Sequence, residues 1–253
     1  MDQAKTLRQL LGTSRPLISP ILGDIGTNYA ACLARFVLEQ HACQHKTALL
    51  FDSSEHGLRE LFSAHCRDDL IEFFKGRANL EDQVLELSAH QYVVIARQGL
   101  DVLTRNPGQA EVLLGKLHRL PVTCDAFYAT LPYEAWRLAA QLAPAAQWFW
   151  IVHPKANSVT RVFQGIRSSS GVDENCRHRV IVAGVRNTDE ADHVFSNLLE
   201  STSHFLTQPL QYAGHMPLLE DGKPLNRISR DMISAGRRIA KLICSLDEHA
   251  LAS

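Results

Sequence analysis

The sequence has no apolar run approaching the roughly 18–20 residues that a membrane-spanning helix needs, which excludes an integral α-helical membrane protein. It has no C-x-x-C pair either. Its six cysteines (Cys32, Cys43, Cys66, Cys124, Cys176 and Cys244) are scattered along 253 residues, a pattern that reads as reduced thiols. Charge of one sign is missing as well: 26 Lys and Arg stand against 27 Asp and Glu, for a net charge of −1. That balance argues against a nucleic-acid binder held by a basic surface. The opening Met1-Asp2-Gln3-Ala4 does not have the basic-then-apolar profile of a secretory leader, so a cytoplasmic protein is expected. No internal repeat and no low-complexity tract breaks the chain.

What is present is a composition suited to a folded domain, with 45% apolar and 21% charged residues. Short apolar runs rich in β-branched residues alternate with longer stretches of helical period. Strands are expected at Leu17–Leu22, Ala48–Asp52, Tyr92–Ala96, Ala126–Ala129, Trp148–Val152, Arg179–Val185 and Leu210–Gly214. Helices are expected near Thr27–Gln40, Gln109–Leu120, Tyr133–Leu142, Val159–Ser168, Glu190–Leu206 and Ile228–Leu246. Strands that are apolar throughout are covered on both faces, which implies an α/β fold with a doubly wound, mostly parallel sheet. Residues 1–11 are expected to form a separate amphipathic helix, residues 12–16 (Gly12-Thr13-Ser14-Arg15-Pro16) a linker, and residues 17–253 the α/β domain.

In such a sheet, ligands bind beyond the carboxyl ends of the strands, starting with the loop after the first. That loop contains Gly23, Asp24, Gly26 and Thr27. A phosphate loop needs glycines so that backbone N–H groups can converge, a lysine for the phosphate oxygens and a Ser or Thr for magnesium. Between Ser14 and Lys46 the only arginines or lysines are Arg15 and Arg35, neither in the loop, while Asp24 would repel a triphosphate. On spacing alone, the segment reads as an ordinary strand–helix turn.

The stretch Ser19–Ala34 resembles the Walker A segment of the MinD/ParA-type ATPases, K-G-G-x-G-K-T. Aligned on Thr27-Asn28, the resemblance puts the family's signature lysine at Ile21 and its phosphate lysine at Gly26. Leu49–Ser54 is similar to the family's strand ending in D-x-D, with Asp52 kept and Ser54 in the second place. Asp125–Pro132 matches the strand whose aspartate helps to hold magnesium, and there the acid becomes Thr130. Ile151–Thr160 resembles the T-P-E-P-T-S-x-T-D stretch, and in the base-recognition strand the adenine-reading asparagine falls on Ala183. The resemblance covers nearly the whole chain and implies a MinD-like P-loop fold. With only Thr27 and Asp52 of the nucleotide-handling groups kept, it implies a degenerate site: no catalytic residue, no cofactor, no metal and no ATP-driven dimer.

The segment Asp2-Gln3-Ala4-Lys5-Thr6-Leu7-Arg8 matches D-Q-A-x-x-L-R, the N-terminal motif of the FlhG (FleN, YlxH) branch of that family. In that branch the motif is a helix that docks on the GTPase FlhF and stimulates its GTP hydrolysis. Asp2 can cap such a helix, and Ala4, Leu7 and Leu11 line one apolar stripe. Gln3 and Arg8 supply polar reach towards the partner's phosphates. Asp2, Gln3, Ala4, Leu7 and Arg8 are therefore the partner-binding residues that the resemblance implies. Further stretches are similar to the branch: Phe73–Arg77 with Leu80-Glu81-Asp82, Thr188–Phe195, and His204–Leu206 with Pro209–Gly214. Three readings remain open: a non-catalytic regulator of flagellar number and placement acting on FlhF, an ATP-binding switch with a rearranged site, or a module binding a flagellar transcriptional regulator or basal-body protein.

Other constellations read as structural. His41 and His45, with Cys43 between them, are expected on a solvated helix end, and Cys176 and His178 in a loop before a strand. No Ser, His and Asp form a nucleophile elbow. The last helix sets Ile228, Met232, Ile239, Leu242 and Ile243 against Arg230, Arg237, Arg238 and Lys241. It is expected to close the core, with weak or no membrane contact.

Overall fold

The computed structural model describes residues 18–24, 27–54, 69–106, 108–117, 119–120, 122–143, 147–171, 176–219 and 228–252, the last six of these as backbone only. The expected helix at Asp2–Leu11 and the linker lie outside the described residues, as do the site positions Asp2, Gln3, Ala4, Leu7, Arg8 and Gly26.

Eight strands form one sheet: β1 Ile18–Gly23, β2 Ala48–Asp52, β3 Leu85–Ser88, β4 Gln91–Ile95, β5 Ala126–Pro132, β6 Gln147–Val152, β7 Arg177–Val185 and β8 Gln211–Pro217. Their order is β3-β4-β2-β5-β1-β6-β7-β8. Only the β3–β4 pair is antiparallel. The helices are α1 Tyr29–Cys43, α2 Ile71–Phe74, α3 Leu80–Gln83, α4 Arg97–Arg105, α5 Gly108–Leu117, α6 Trp136–Leu142, α7 Ala156–Ser170, α8 Thr188–Thr202 and α9 Arg230–Ala252.

Alternation along the inner strands builds two cores, one on each face. Trp148, Trp150 and Val152 of β6 point to one face with α4 to α8, while Phe149 and Ile151 point to the other with α1 and α9. Side chains of β1, β5, β6 and β7 in both cores are almost wholly buried. Helix α9 closes the second core, as its pattern implies: Met232, Ile239 and Ile243 are buried there. Gly236 lets α9 approach α1 closely, because a Cβ at that position would lie 2.1 Å from Cδ2 of Phe36. Among the described residues, no helix is long and apolar enough to cross a membrane.

Four elements were not expected from the sequence. Strand β3 has four half-exposed residues and a register shift, too short to show a period. Helices α2 and α3 are single turns closed by local polar contacts. Gly76 (φ +70°) ends the first, and reciprocal Asn79–Asp82 contacts cap the second. Helix α4 is hidden by Gly99, which reads as a turn residue. The structure needs a glycine there because a Cβ would come within 2.6 Å of Leu70 Cβ. The Asp69 carboxylate organises this corner, accepting from the N–H groups of Ile71, Gln98 and Gly99 at 2.8–3.0 Å.

Two histidine expectations are corrected. His41 is only 3% exposed and its Nε2 meets the Tyr128 hydroxyl at 2.8 Å, because the end of α1 turns inward onto β5. His178 lies within β7, buried, where Nδ1 accepts from Trp150 Nε1 at 3.1 Å. Cys176, just before that strand, is buried too. Trp148 and Trp150 both approach the His178 ring, so the imidazole satisfies an indole N–H inside the sheet's aromatic layer.

Candidate functional site

Strand β1 hands the chain to α1 on one face, whereas its two neighbours, β5 and β6, lead to α6 and α7 on the other. The carboxyl end of β1 is thus flanked by crossovers that leave in opposite directions, the position where an open α/β sheet forms its crevice. Parallel register sets Ile21 beside both Thr130 and Phe149, and Gly23 beside Pro132.

The residues at this rim form two hydrogen-bonded groups. In the first, Asp52 ends β2 with 2% exposure. Its Oδ1 accepts from the Ser54 N–H at 3.1 Å and from Thr130 Oγ1 at 3.1 Å, and its Oδ2 accepts from Ser54 Oγ at 2.8 Å. Thr130, wholly buried on β5, also accepts from the Ser53 N–H at 2.8 Å, and Ser53 Oγ donates to the Thr130 carbonyl at 2.6 Å. Each of these short side chains is turned inward onto its neighbours. Asp52 is thus a buried carboxylate that accepts from three donors of the protein.

The second group surrounds His153, the residue after β6. Its Nδ1 lies 3.1 Å from the Ala183 carbonyl, which can only accept, so that nitrogen carries the proton. Nε2 faces Thr27 Oγ1 at 3.4 Å, but the single Thr27 hydroxyl proton has a shorter bond to the Asp24 carbonyl at 2.8 Å. Burial holds the His153 pKa below its ordinary value of 6.5, opposed by the Ala183 carbonyl and the Asp24 charge and helped by Lys155. The Tyr29 ring lies 5.0 Å from the imidazole, and its hydroxyl accepts from the Leu219 N–H at 2.8 Å. Gly184 passes beneath with φ +78°, and a Cβ there would stand 3.2 Å from that hydroxyl.

On the α7 side, Ser158 Oγ accepts from the His153 N–H at 3.0 Å and meets the Tyr133 hydroxyl at 3.1 Å. Tyr133 also donates to the Ile151 carbonyl at 2.5 Å, and burial pushes its pKa up to about 12. The Arg161 guanidinium lies over the Tyr133 ring at 4.8 Å and pairs with Glu134 at 2.8 Å, with Asp24 at 3.9 Å. Arg161 is therefore engaged by acidic neighbours.

The structure brings Gly23, Thr27, Asp52, Thr130 and Ala183 to one rim, as their places in the sequence imply. Ile21 is different: it is fully buried among Phe149, Ile151, Ala183 and the α1 side chains, part of the core beneath the rim. Ala183 is apolar core as well and takes part through its carbonyl alone. His153, Tyr133, Ser158 and Arg161 were not singled out from sequence. Their signal was positional: each lies just after β5 or β6, the two strands that flank β1. Among the described residues, no three His, Cys, Asp or Glu side chains are grouped so as to hold a metal ion.

An eight-stranded, nearly all-parallel sheet with this order and helices on both faces is the fold of the MinD/ParA class of P-loop NTPases. Solved structures similar to this chain carry that architecture. A plasmid partition protein from Borrelia burgdorferi is 12% identical, with a TM-score of 0.65 over 92% of this chain and 99% of that one. The cell-division ATPase MinD of Pyrococcus furiosus is 14% identical, with a TM-score of 0.62 over 92% and 100% of the two chains. MinD in the MinC:MinD complex of Aquifex aeolicus is 15% identical, with a TM-score of 0.59 over 91% and 96%. At these identities the likeness defines the fold. No protein-family model matches the sequence, and no curated protein matches it significantly.

Proposed function

We propose that this chain is a non-catalytic, FlhG-like regulator: a MinD-type fold that has given up nucleotide chemistry and acts on an FlhF-type GTPase through Asp2–Arg8. The observation that carries the loss of chemistry is the Asp52–Ser53–Ser54–Thr130 cluster. Both Asp52 oxygens accept from side-chain or backbone donors of the protein, and Thr130 stands where magnesium would need a second acid. A magnesium–nucleotide pair does not fit these residues. Ile21 is core, Asp24 adds a carboxylate to the rim, and Arg161 is held by Glu134. Phosphoryl transfer needs cations placed around the transferring group; near this rim the described residues offer Arg161, paired with Glu134, and the exposed Lys155 beside His153, with no lysine in the loop after β1.

The D-Q-A-x-x-L-R segment supports FlhF as the partner.

Calorimetry with ATP and magnesium on the whole chain is expected to give no binding; a dissociation constant in the low micromolar range would instead favour the ATP-binding switch, for which the retained Thr27 and Asp52 speak. The partner is tested by single-turnover GTP hydrolysis by FlhF with wild-type, Gln3→Ala and Leu7→Asp chains. Gln3→Ala should dock but stimulate weakly. Leu7→Asp should not dock, because it places an unpaired charge in an apolar groove. Equal stimulation by all three would remove the segment as the effector.

A further inference from the structure

Helix α9 carries two faces with opposite fates. Its apolar face, Met232, Ile239 and Ile243, is spent on the core against α1 and β8. Its outer face presents Arg230, Arg237, Arg238 and Lys241 around Ile233 and Ser234, which together line an open concavity of about 410 Å³. All four cations are exposed, and none forms an ion pair with a described residue. Between Arg230 and Ser245 the helix has one carboxylate, Asp231, and it does not line the concavity. In a chain of net charge −1, four cations over three turns, none paired with a described residue, are a local concentration that folding alone does not require. Like charges three, four and seven residues apart on one helix face oppose helix formation.

We propose that this face of α9 is a docking surface for an acidic protein segment, with carboxylates spaced about two helical turns apart and an apolar side chain between them to enter over Ile233. Three observations select that occupant. The cations span about 16 Å along the helix, a length that matches a short helix or strand. An apolar floor at Ile233 flanked by arginines suits a side chain with acids on either side of it, since arginine stems and guanidinium groups take both. A long polyanion would need a continuous basic track, yet the charge ends with this helix and the rest of the chain is acidic or balanced. A lipid surface would need apolar side chains free to insert, and among the described residues those of α9 pack on the core, Ile233 only in part.

The probe is a fluorescein-labelled peptide of about 15 residues with Glu at two positions seven apart and Leu between them, long enough to gain helicity on docking. It is titrated into the full chain, and ¹H–¹⁵N spectra of the labelled full chain map its position. The expected result is shifts confined to the Arg230–Lys241 stretch. Affinity should fall about tenfold in Arg237→Glu/Lys241→Glu and decline with added salt. Both substitutions are at exposed positions, so thermal unfolding should be unchanged. The milder Arg237→Gln/Lys241→Gln pair, which avoids charge reversal, should lose about threefold. No shifts at peptide excess, or equal affinity for the folded double variants, would overturn the proposal. So would tighter binding of a duplex DNA of about 20 base pairs or of phosphatidylglycerol vesicles than of the peptide.

Discussion

Thr130→Val separates shape from hydrogen bonding at the rim and is the most informative single substitution in this protein. Valine keeps the volume and the branched shape of threonine, and Thr130 is wholly buried, so no cavity opens and no strain is added. What disappears is one oxygen with three contacts: it accepts from the Ser53 N–H at 2.8 Å, donates to Asp52 Oδ1 at 3.1 Å and lies 3.3 Å from Ser53 Oγ. A buried N–H left without an acceptor costs about 1–3 kcal/mol, and a buried carboxylate that loses one of three donors adds to that. The expected destabilisation is therefore about 2–4 kcal/mol, or a fall in Tm of roughly 5–12 °C for a domain of this size. Thr130→Ser keeps the oxygen and loses one methyl group, so it should cost only about 1 kcal/mol. Urea unfolding and calorimetry of the three proteins measure the difference. Thr130→Asp completes the test by restoring the acid that a magnesium site would use. Here it should place a second carboxylate against Asp52 and destabilise the fold, with no rescue by magnesium. A cost below about 0.5 kcal/mol for Thr130→Val would show that the network contributes little. Rescue of Thr130→Asp by magnesium would show that the rim still selects a metal, against the function proposed above.

The depressed pKa of His153 means that the unfolded chain binds more protons than the folded one as pH falls through the ordinary value of 6.5. Stability contributed at this site is therefore complete above that pH and is lost below it, down to the folded pKa. His153→Gln, whose amide can still donate to the Ala183 carbonyl, should flatten that part of the pH–stability curve, and an unchanged slope in urea titrations at several pH values would contradict the assignment. Two glycines should respond to alanine with opposite signs. Gly236→Ala gains helix propensity but drives a methyl into the Phe36 ring, 2.1 Å away, so a net loss of about 1–3 kcal/mol is expected by chemical denaturation. Gly115→Ala on α5 meets nothing within 4 Å and should gain about 0.5–1 kcal/mol.

The sheet's central strands were legible in the sequence because they are buried on both faces. Ala48–Phe51 and Trp148–Val152 are apolar throughout, and no alternative structure buries such runs so completely. The long helices were legible for the matching reason: α1, α7, α8 and α9 each place an apolar stripe against the sheet. Local chemistry also sharpened one boundary. Asn187 accepts from the Glu190 N–H at 2.9 Å and starts α8 two residues before its apolar pattern begins.

Tertiary structure decided what the polar residues do. The sequence by itself determined that lysines are missing from the loop after β1. It contained nothing to say that Thr130 would turn inward onto Asp52 and Ser53, because those contacts join positions 77 and 78 residues apart. His153, Tyr133 and Arg161 became neighbours of Thr27 and Asp24 only when β5 and β6 closed on either side of β1. The two histidines expected on a solvated helix end and in a loop, His41 and His178, went inside for the same reason. A buried Tyr128 hydroxyl and a buried Trp150 indole each required a partner, and only the packed sheet determined which imidazole was within reach. Apolar periodicity is a property of short stretches of chain and survives in sequence. Hydrogen-bond satisfaction is a property of the folded interior, where each buried polar group must find its partner across strands that sequence order keeps far apart.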